Sequence, residues 1–160
     1  MNQTILERLQ AQFPACIRAS EEFRGDLTVT VRTADIVPVA EFLKKDPALA
    51  FDMLIDLCGV DRFREKERFE VVYTLYSLLN KKYLRLKVLV NEDDPVVPTV
   101  TAVWSAANWH ERETFDMFGL KFSGHPDLRR LYMPEEFEYY PLRKDFPLTG
   151  IPDSLPLPRR

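Results

Sequence analysis

The sequence reads as an α+β protein: a mainly antiparallel sheet with helices, followed by an extended proline-rich C-terminal arm. Three observations lead there. Segments 69–79 and 83–90 are rich in β-branched and aromatic residues, and only Asn80-Lys-Lys82 separates them, the spacing of an antiparallel hairpin. The helical patterns are segregated from this hairpin rather than alternating with strands. Seven of the twelve prolines follow Gly119, at 126, 134, 141, 147, 152, 156 and 158, and proline is excluded from helix interiors and central strands. The chain therefore divides into a regular body over 1–118 and an irregular arm over 119–160.

The elements follow in order. Thr4 and Glu7 make a capping-box pattern ahead of an apolar face of Ile5, Leu6, Leu9 and Phe13, which predicts a helix over 4–12. Leu27, Val29 and Val31 alternate with polar residues as a half-buried strand does. Thr33 or Asp35 can cap a helix over 35–45, with Ile36, Val39, Ala40 and Leu43 on its apolar face and Pro38 in the tolerated first turn. A short strand over 51–60 precedes the hairpin. Residues 97–118 read as helix, in one piece or broken at Asn108, with Gly119 at the C′ position. The predicted order is α-β-α-β-β-β-α.

Composition narrows the function. Of 160 residues, 46% are hydrophobic, enough for a sizeable core. A net charge of −3 argues against a nucleic-acid binder. Cys16 and Cys58 have no paired spacing, which argues against a Cys-ligated zinc or iron–sulfur site and fits a reducing compartment. Cys58 sits in an apolar stretch, where a buried structural thiol is expected. The apolar runs are too short to span a bilayer, and no signal peptide is visible at the start, so a soluble cytoplasmic chain is expected. GxSxG, P-loop and GxGxxG patterns are absent from the sequence, so it offers no dinucleotide or phosphate site.

The densest constellation is His110-Glu-Arg-Glu113. The zincin pattern HExxH fails because position 114 is Thr. A stand-alone metal-dependent enzyme using His110, Glu111 and His125 is the competing reading from a different class. If the helix is continuous, Val100, Trp104, Ala107, Glu111, Phe115 and Phe118 share one stripe, and Glu111 lies in an apolar face. A buried carboxylate needs a cation or several donors. Arg129, Arg130, Arg143 and Lys144 are the candidates, and the arginines are expected to pair with Glu111, Glu113 and Asp116 or with a partner's acids. If the helix breaks at Asn108, Glu111 is instead a capping residue. Phe137, Tyr139, Tyr140 and Phe146 crowd a segment that is otherwise charged and proline-rich. Flexible tails are poor in aromatics, so this stretch is expected to dock on its own body or on a partner.

Ala107-Asn-Trp-His-Glu-Arg-Glu-Thr-Phe-Asp-Met-Phe-Gly119 and Gly124-His-Pro-Asp-Leu-Arg-Arg-Leu131 resemble the signature of the C subunit of respiratory complex I, the small hydrophilic member of the proton-pumping NADH:quinone oxidoreductase. Leu142-Arg-Lys-Asp-Phe-Pro147 is similar to the family's second block, and the resemblance covers about 25 to 160. Tyr139-Tyr140 stands where the family often has Gly-His. The resemblance implies a non-catalytic structural subunit of the peripheral arm, with no cofactor of its own. FMN, iron–sulfur clusters, NADH and a quinone would belong to the rest of the complex. It implies packing against the large hydrogenase-like quinone-site subunit and other peripheral-arm subunits, on the cytoplasmic face of the cell membrane, with no direct membrane span. Glu111, Arg112, Glu113, Asp116, His125, Arg129, Arg130, Arg143, Lys144, Asp145 and Phe146 would be structural or interface residues. Related complexes linked to ferredoxin, deazaflavin or formate are the alternative setting.

Overall fold

Alternating apolar residues on three strands create the face on which the protein is built. The computed structural model describes residues 2–151. Strands β1 (Ile17–Phe23), β2 (Asp26–Val31), β3 (Met53–Asp61), β4 (Phe69–Ser77) and β5 (Lys82–Val90) form one sheet in the order β1-β2-β5-β4-β3. Pairing is antiparallel except between β2 and β5, so the sheet is mixed and mostly antiparallel. Register lines up Val29, Leu86, Tyr73 and Leu57 across four strands, and Leu27, Leu84, Leu75 and Leu54 in the next row. All eight are buried. The opposite face carries Thr30, Lys87, Arg85 and Thr74, as expected of a sheet with one wet side.

Three helices, α1 (Asn2–Gln12), α2 (Ile36–Lys45) and α3 (Ala107–Phe118), cover the apolar face. Helix α1 starts ahead of Thr4, so Thr4 lies inside it rather than at its cap. A single 3₁₀ turn, Thr33–Asp35, precedes α2. There Thr33 donates its hydroxyl to the Leu89 carbonyl and Asp35 accepts from Arg32, so neither side chain caps α2.

The structure corrects four expectations. Strand β1 was not predicted: its IRASEEF sequence is exposed and charged along an edge, without alternation. It is set by the turn at Arg24 and Gly25, whose φ values of 52° and 87° suit a two-residue hairpin. Helix α3 begins only at Ala107, and Val96–Pro98 is instead strand β6. It pairs in parallel with β7 (Lys121–Ser123), which the sequence had placed in the irregular arm. Pro95 precedes β6 and Pro98 is its last residue, and together they stop a helix from propagating through it. Lastly, Cys58 is exposed, on the wet side of edge strand β3, whereas Cys16 is buried.

From Gly124 to Ile151 the chain forms turns and bends without helix or strand. Prolines 152, 156 and 158 of the expected arm lie outside the described residues.

Candidate functional site

Helix α3 and the segment that follows β7 meet through a set of buried charges. The helix lies close on β3 because position 59 is glycine: a Cβ there would stand 2.8 Å from the Phe118 ring and 3.0 Å from the Thr114 methyl. Gly119, with φ at 75°, ends the helix in the left-handed conformation, and its N–H donates to the Phe115 carbonyl.

Three carboxylates organise the meeting. Asp116 is fully buried and faces the segment. Its Oδ2 accepts the successive N–H groups of Leu131, Tyr132 and Met133 at 3.0, 2.7 and 3.0 Å, and its Oδ1 accepts Arg130 at 2.8 Å. Burial pushes its pKa up, but these donors outweigh burial and hold the group below the usual aspartate value.

Asp61, at the end of β3, receives Arg68 through two bonds, 3.1 and 2.8 Å. It also accepts the N–H groups of Phe63 at 2.8 Å and of Lys144 at 2.9 Å. Burial opposes ionisation, yet Arg68, Lys144 and Phe63 together hold Asp61 at about 2. Arg68 continues outward to Glu92 at 2.6 Å and Asp145 at 3.0 Å, with its guanidinium over the rings of Phe63 and Phe69. Its pKa is raised, chiefly by Asp61.

Glu111 is the third, and it does not cap α3. It accepts the Val100 N–H at 2.8 Å and the Thr99 hydroxyl at 2.5 Å, so it stitches the helix to the turn after β6. Burial pushes its pKa up to about 7 despite those two bonds.

The arginines divide differently from expectation. Arg130 is the partner of Asp116, but Arg129 pairs with Asp127 at the surface and reaches none of the three acids. Arg143 donates to the Phe118 carbonyl at 2.6 Å, lies over the Phe69 and Tyr140 rings, and comes within 3.8 Å of Glu92. Arg112 stacks on Trp109 and donates to the carbonyls of Arg129 and Arg130. Glu113 is exposed on the rim of a groove of about 180 Å³ between β3 and α3, beside Asp56, Cys58 and Leu142. Burial, Asp56 and Glu113 all raise the Cys58 pKa, which suppresses its thiolate. Lys144 contributes its backbone N–H, Asp145 its carboxylate, and Phe146 packs with Phe137 and Tyr139. His110 points to Asp56 at 3.6 Å, whereas His125 lies 3.9 Å from Glu111, so the two histidines serve different corners. Among the described residues no group of three or more His, Cys, Asp or Glu could hold a metal ion.

Asp61, Arg68, Glu92 and Thr99 belong to this site and were not singled out from sequence. Asp61 and Arg68 flank a loop at the ends of paired strands, and nothing in their spacing distinguishes them from solvated charges. Tyr140, one of the four crowded aromatics expected to dock and also a departure from the family pattern, covers Gly119 and stands between Arg130 and Arg143.

Fold and site together define a class: a small α+β protein whose buried carboxylates fasten an irregular segment onto one helix and one sheet edge. The chain belongs to the family described as respiratory-chain NADH dehydrogenase, 30 Kd subunit, which matches residues 29–152 and is the C-subunit family of complex I. It is 56% identical over 147 residues to the NADH-quinone oxidoreductase C subunit of Roseiflexus sp. (strain RS-1), covering 92% of this chain and 84% of that one. It is also 56% identical over 131 residues to the second such C subunit of Rhizobium meliloti (strain 1021), covering 82% and 71%. Among solved structures, a trypsin-resistant fragment (1-134) of Nqo5 superposes with a TM-score of 0.65 at 34% identity, over 80% of this chain and all of that one. A chain of an archaeal membrane-bound sulfane sulfur reductase superposes with a TM-score of 0.78 at 24% identity, over 91% and 85%, a likeness of fold. Among the described residues no helix is long and apolar enough to cross a membrane.

Proposed function

We propose that this chain is a non-catalytic structural subunit of the peripheral arm of a proton-pumping NADH:quinone oxidoreductase, packed on the large hydrogenase-like quinone-site subunit. Its partners are that subunit and its peripheral-arm neighbours, on the cytoplasmic face of the membrane. NADH, FMN, iron–sulfur clusters and quinone are handled by the other subunits.

The observation that carries the reading is how segment 124–151 is held. Buried acids grip its backbone from below, at Leu131 to Met133 and at Lys144. The same segment leaves Tyr132, Tyr139, Leu142 and Leu148 exposed. A segment whose backbone is held and whose large apolar side chains are exposed is pre-organised to be covered, because the ordering entropy of docking is already met. Segment 124–151, the described part of the proline-rich arm, acts as a strap over the neighbour.

The test replaces Tyr132 and Leu142 with Asp in the full chain and follows incorporation into the complex and NADH:quinone activity of membranes. The reading expects the variant to keep its circular dichroism and melting temperature but to fall out of the assembled complex. A folded variant that assembles and supports full activity would overturn it.

A further inference from the structure

Glu111 is an enclosed acid without an arginine or lysine. Its side chain and that of His125 are both fully buried, and His125, at 3.9 Å, is its only ion-pair neighbour among the described residues. The other two buried acids of the site are ringed by donors, whereas Glu111 has one N–H and one hydroxyl. The titratable groups facing it are Tyr73 from β4 and His125 from the loop after β7. The Tyr73 hydroxyl is buried without a hydrogen-bond partner, and its pKa is raised by burial and by Glu111. The His125 Nδ1 accepts the Asp127 N–H, which assigns its ring hydrogen to Nε2, facing the Asn108 carbonyl and Glu111. On β3, which packs against the helix, Asp56 is engaged by His110 and Asp61 by Arg68. The segment after β6 faces Glu111 with uncharged threonines.

Those threonines form a connected row. Glu111 Oε2 lies 2.5 Å from Thr99 Oγ1, which lies 3.0 Å from Thr101 Oγ1, and Thr101 is half-buried at the surface. The Thr101 N–H occupies one lone pair of Thr99 at 3.2 Å. A hydroxyl has one proton and two lone pairs. With Glu111 ionised, Thr101 donates to Thr99 and Thr99 to the carboxylate. With Glu111 protonated, Oε2–H donates to Thr99 and Thr99 donates to Thr101. Every donor and acceptor of Thr99 is used in both states, so the row serves either one by reversing direction.

We propose that Glu111 is a reversible proton-binding site inside the protein, exchanging its proton with solvent through the hydroxyls of Thr99 and Thr101. On release, the Oε2 proton passes to Thr99, the Thr99 hydroxyl proton to Thr101, and the Thr101 hydroxyl proton to water. Only O–H bonds form and break, and the net change is one proton delivered to water. The charge left on Glu111 is then faced by His125, at the root of segment 124–151, so proton occupancy is read where that segment leaves the body. Burial without a guanidinium places the Glu111 pKa at about 7, within reach of ordinary cellular pH. The inference stands on the residues of this pocket and does not depend on the partner proposed above.

The test uses the full chain with carbon-13 in its glutamate carboxyls. Nuclear magnetic resonance should show the Glu111 carboxyl titrating more than one pH unit above the exposed glutamates of the same sample. A Glu111 midpoint among the exposed glutamates would overturn the proposal. Glu111→Gln confirms the assignment of that resonance, and sequential assignment replaces it if the variant does not fold. The second arm mixes protonated protein into heavy water and follows the infrared carbonyl stretch of the acid as O–H becomes O–D. Thr101→Val removes the outer hydroxyl at a half-exposed position and should slow that exchange by roughly an order of magnitude. Exchange at the wild-type rate in Thr101→Val would sink the relay.

Discussion

Arg68, just ahead of β4, grips Asp61 of β3 through two hydrogen bonds at 2.8 and 3.1 Å, and both side chains are at least 95% buried. The pair sits at the edge from which Lys144 and Asp145 are reached, so it joins sheet integrity to the placement of segment 124–151. Removing one member leaves the other buried and unanswered, which is the expensive way to break such a pair. Arg68→Ala should therefore cost about 3–5 kcal/mol in urea unfolding. Replacing both residues with apolar ones of similar volume should recover much of that loss, and a loss below about 1 kcal/mol for Arg68→Ala would mean the pair is solvated in solution.

The same pair fixes an acid limb of stability. The Asp61 pKa falls from 3.8 unfolded to about 2 folded. A depressed carboxyl contributes stability that is fully present above the unfolded value and is lost as pH falls through the folded one. The window is thus roughly pH 4 to 2, and the contribution is about 2 kcal/mol. Unfolding free energies of wild type and Asp61→Asn should converge as pH drops through this range, and parallel curves would contradict the assignment.

Glu111 tilts the other way. Its pKa rises from 4.5 to about 7 on folding, so its stability contribution is complete below about pH 4.5 and disappears as pH climbs to 7. The loss amounts to about 3 kcal/mol. Glu111→Gln cannot ionise, so its stability should stay flat over that interval while wild type declines. A wild-type curve that rises from pH 5 to 7 after correction for other groups would count against a buried neutral Glu111.

Arg129 and Arg130 are adjacent in sequence and should behave oppositely. Arg130 binds buried Asp116, whereas Arg129 pairs with Asp127 in solvent. Arg129→Ala should leave the melting temperature unchanged. Asp116→Ala frees three successive N–H groups, and amide hydrogen exchange at Leu131, Tyr132 and Met133 should accelerate together. Independent exchange rates at the three would show that Asp116 does not hold them as a unit.

How much of this could be read from sequence follows from the range of each signal. The β4–β5 hairpin and α2 were legible because alternation and helical periodicity persist over nine or ten residues there. Strands β6 and β7 have three residues each, too few to show a period, and their pairing joins positions about 25 apart. Strand β1 is exposed on nearly its whole length, so burial imposed no pattern on it. At the site, Glu111 was legible as an acid on an apolar stripe, but its partner was not. The helix begins at Ala107, which leaves Thr99 and Val100 in a turn that doubles back onto Glu111, and an expected arginine gives way to a hydroxyl and an N–H. Asp116 and Arg130 were legible as partners because both lie in one motif-rich stretch. Asp61 and Arg68 were not: strand register sets Asp61 opposite Phe69, beside Arg68, and their further partners Lys144 and Asp145 lie some eighty positions on, in a segment without strand.

Gly119 and Gly25 offer a controlled comparison of backbone strain with crowding. Both have positive φ, 75° and 87°. A Cβ at Gly25 would meet open space, whereas one at Gly119 would stand 2.6 Å from the Tyr140 ring and 2.8 Å from the Arg143 guanidinium. Gly25→Ala should carry the left-handed penalty alone, about 1–2 kcal/mol. Gly119→Ala should carry that penalty plus about 1–3 kcal/mol of overpacking, because Tyr140 is held between two arginines and cannot move without releasing them. Thermal or urea unfolding gives the two losses, and tyrosine resonances report whether Tyr140 moves. Equal losses at the two positions would show that Tyr140 yields freely, and that the contact between helix α3 and residues 140–143 is looser than its geometry implies.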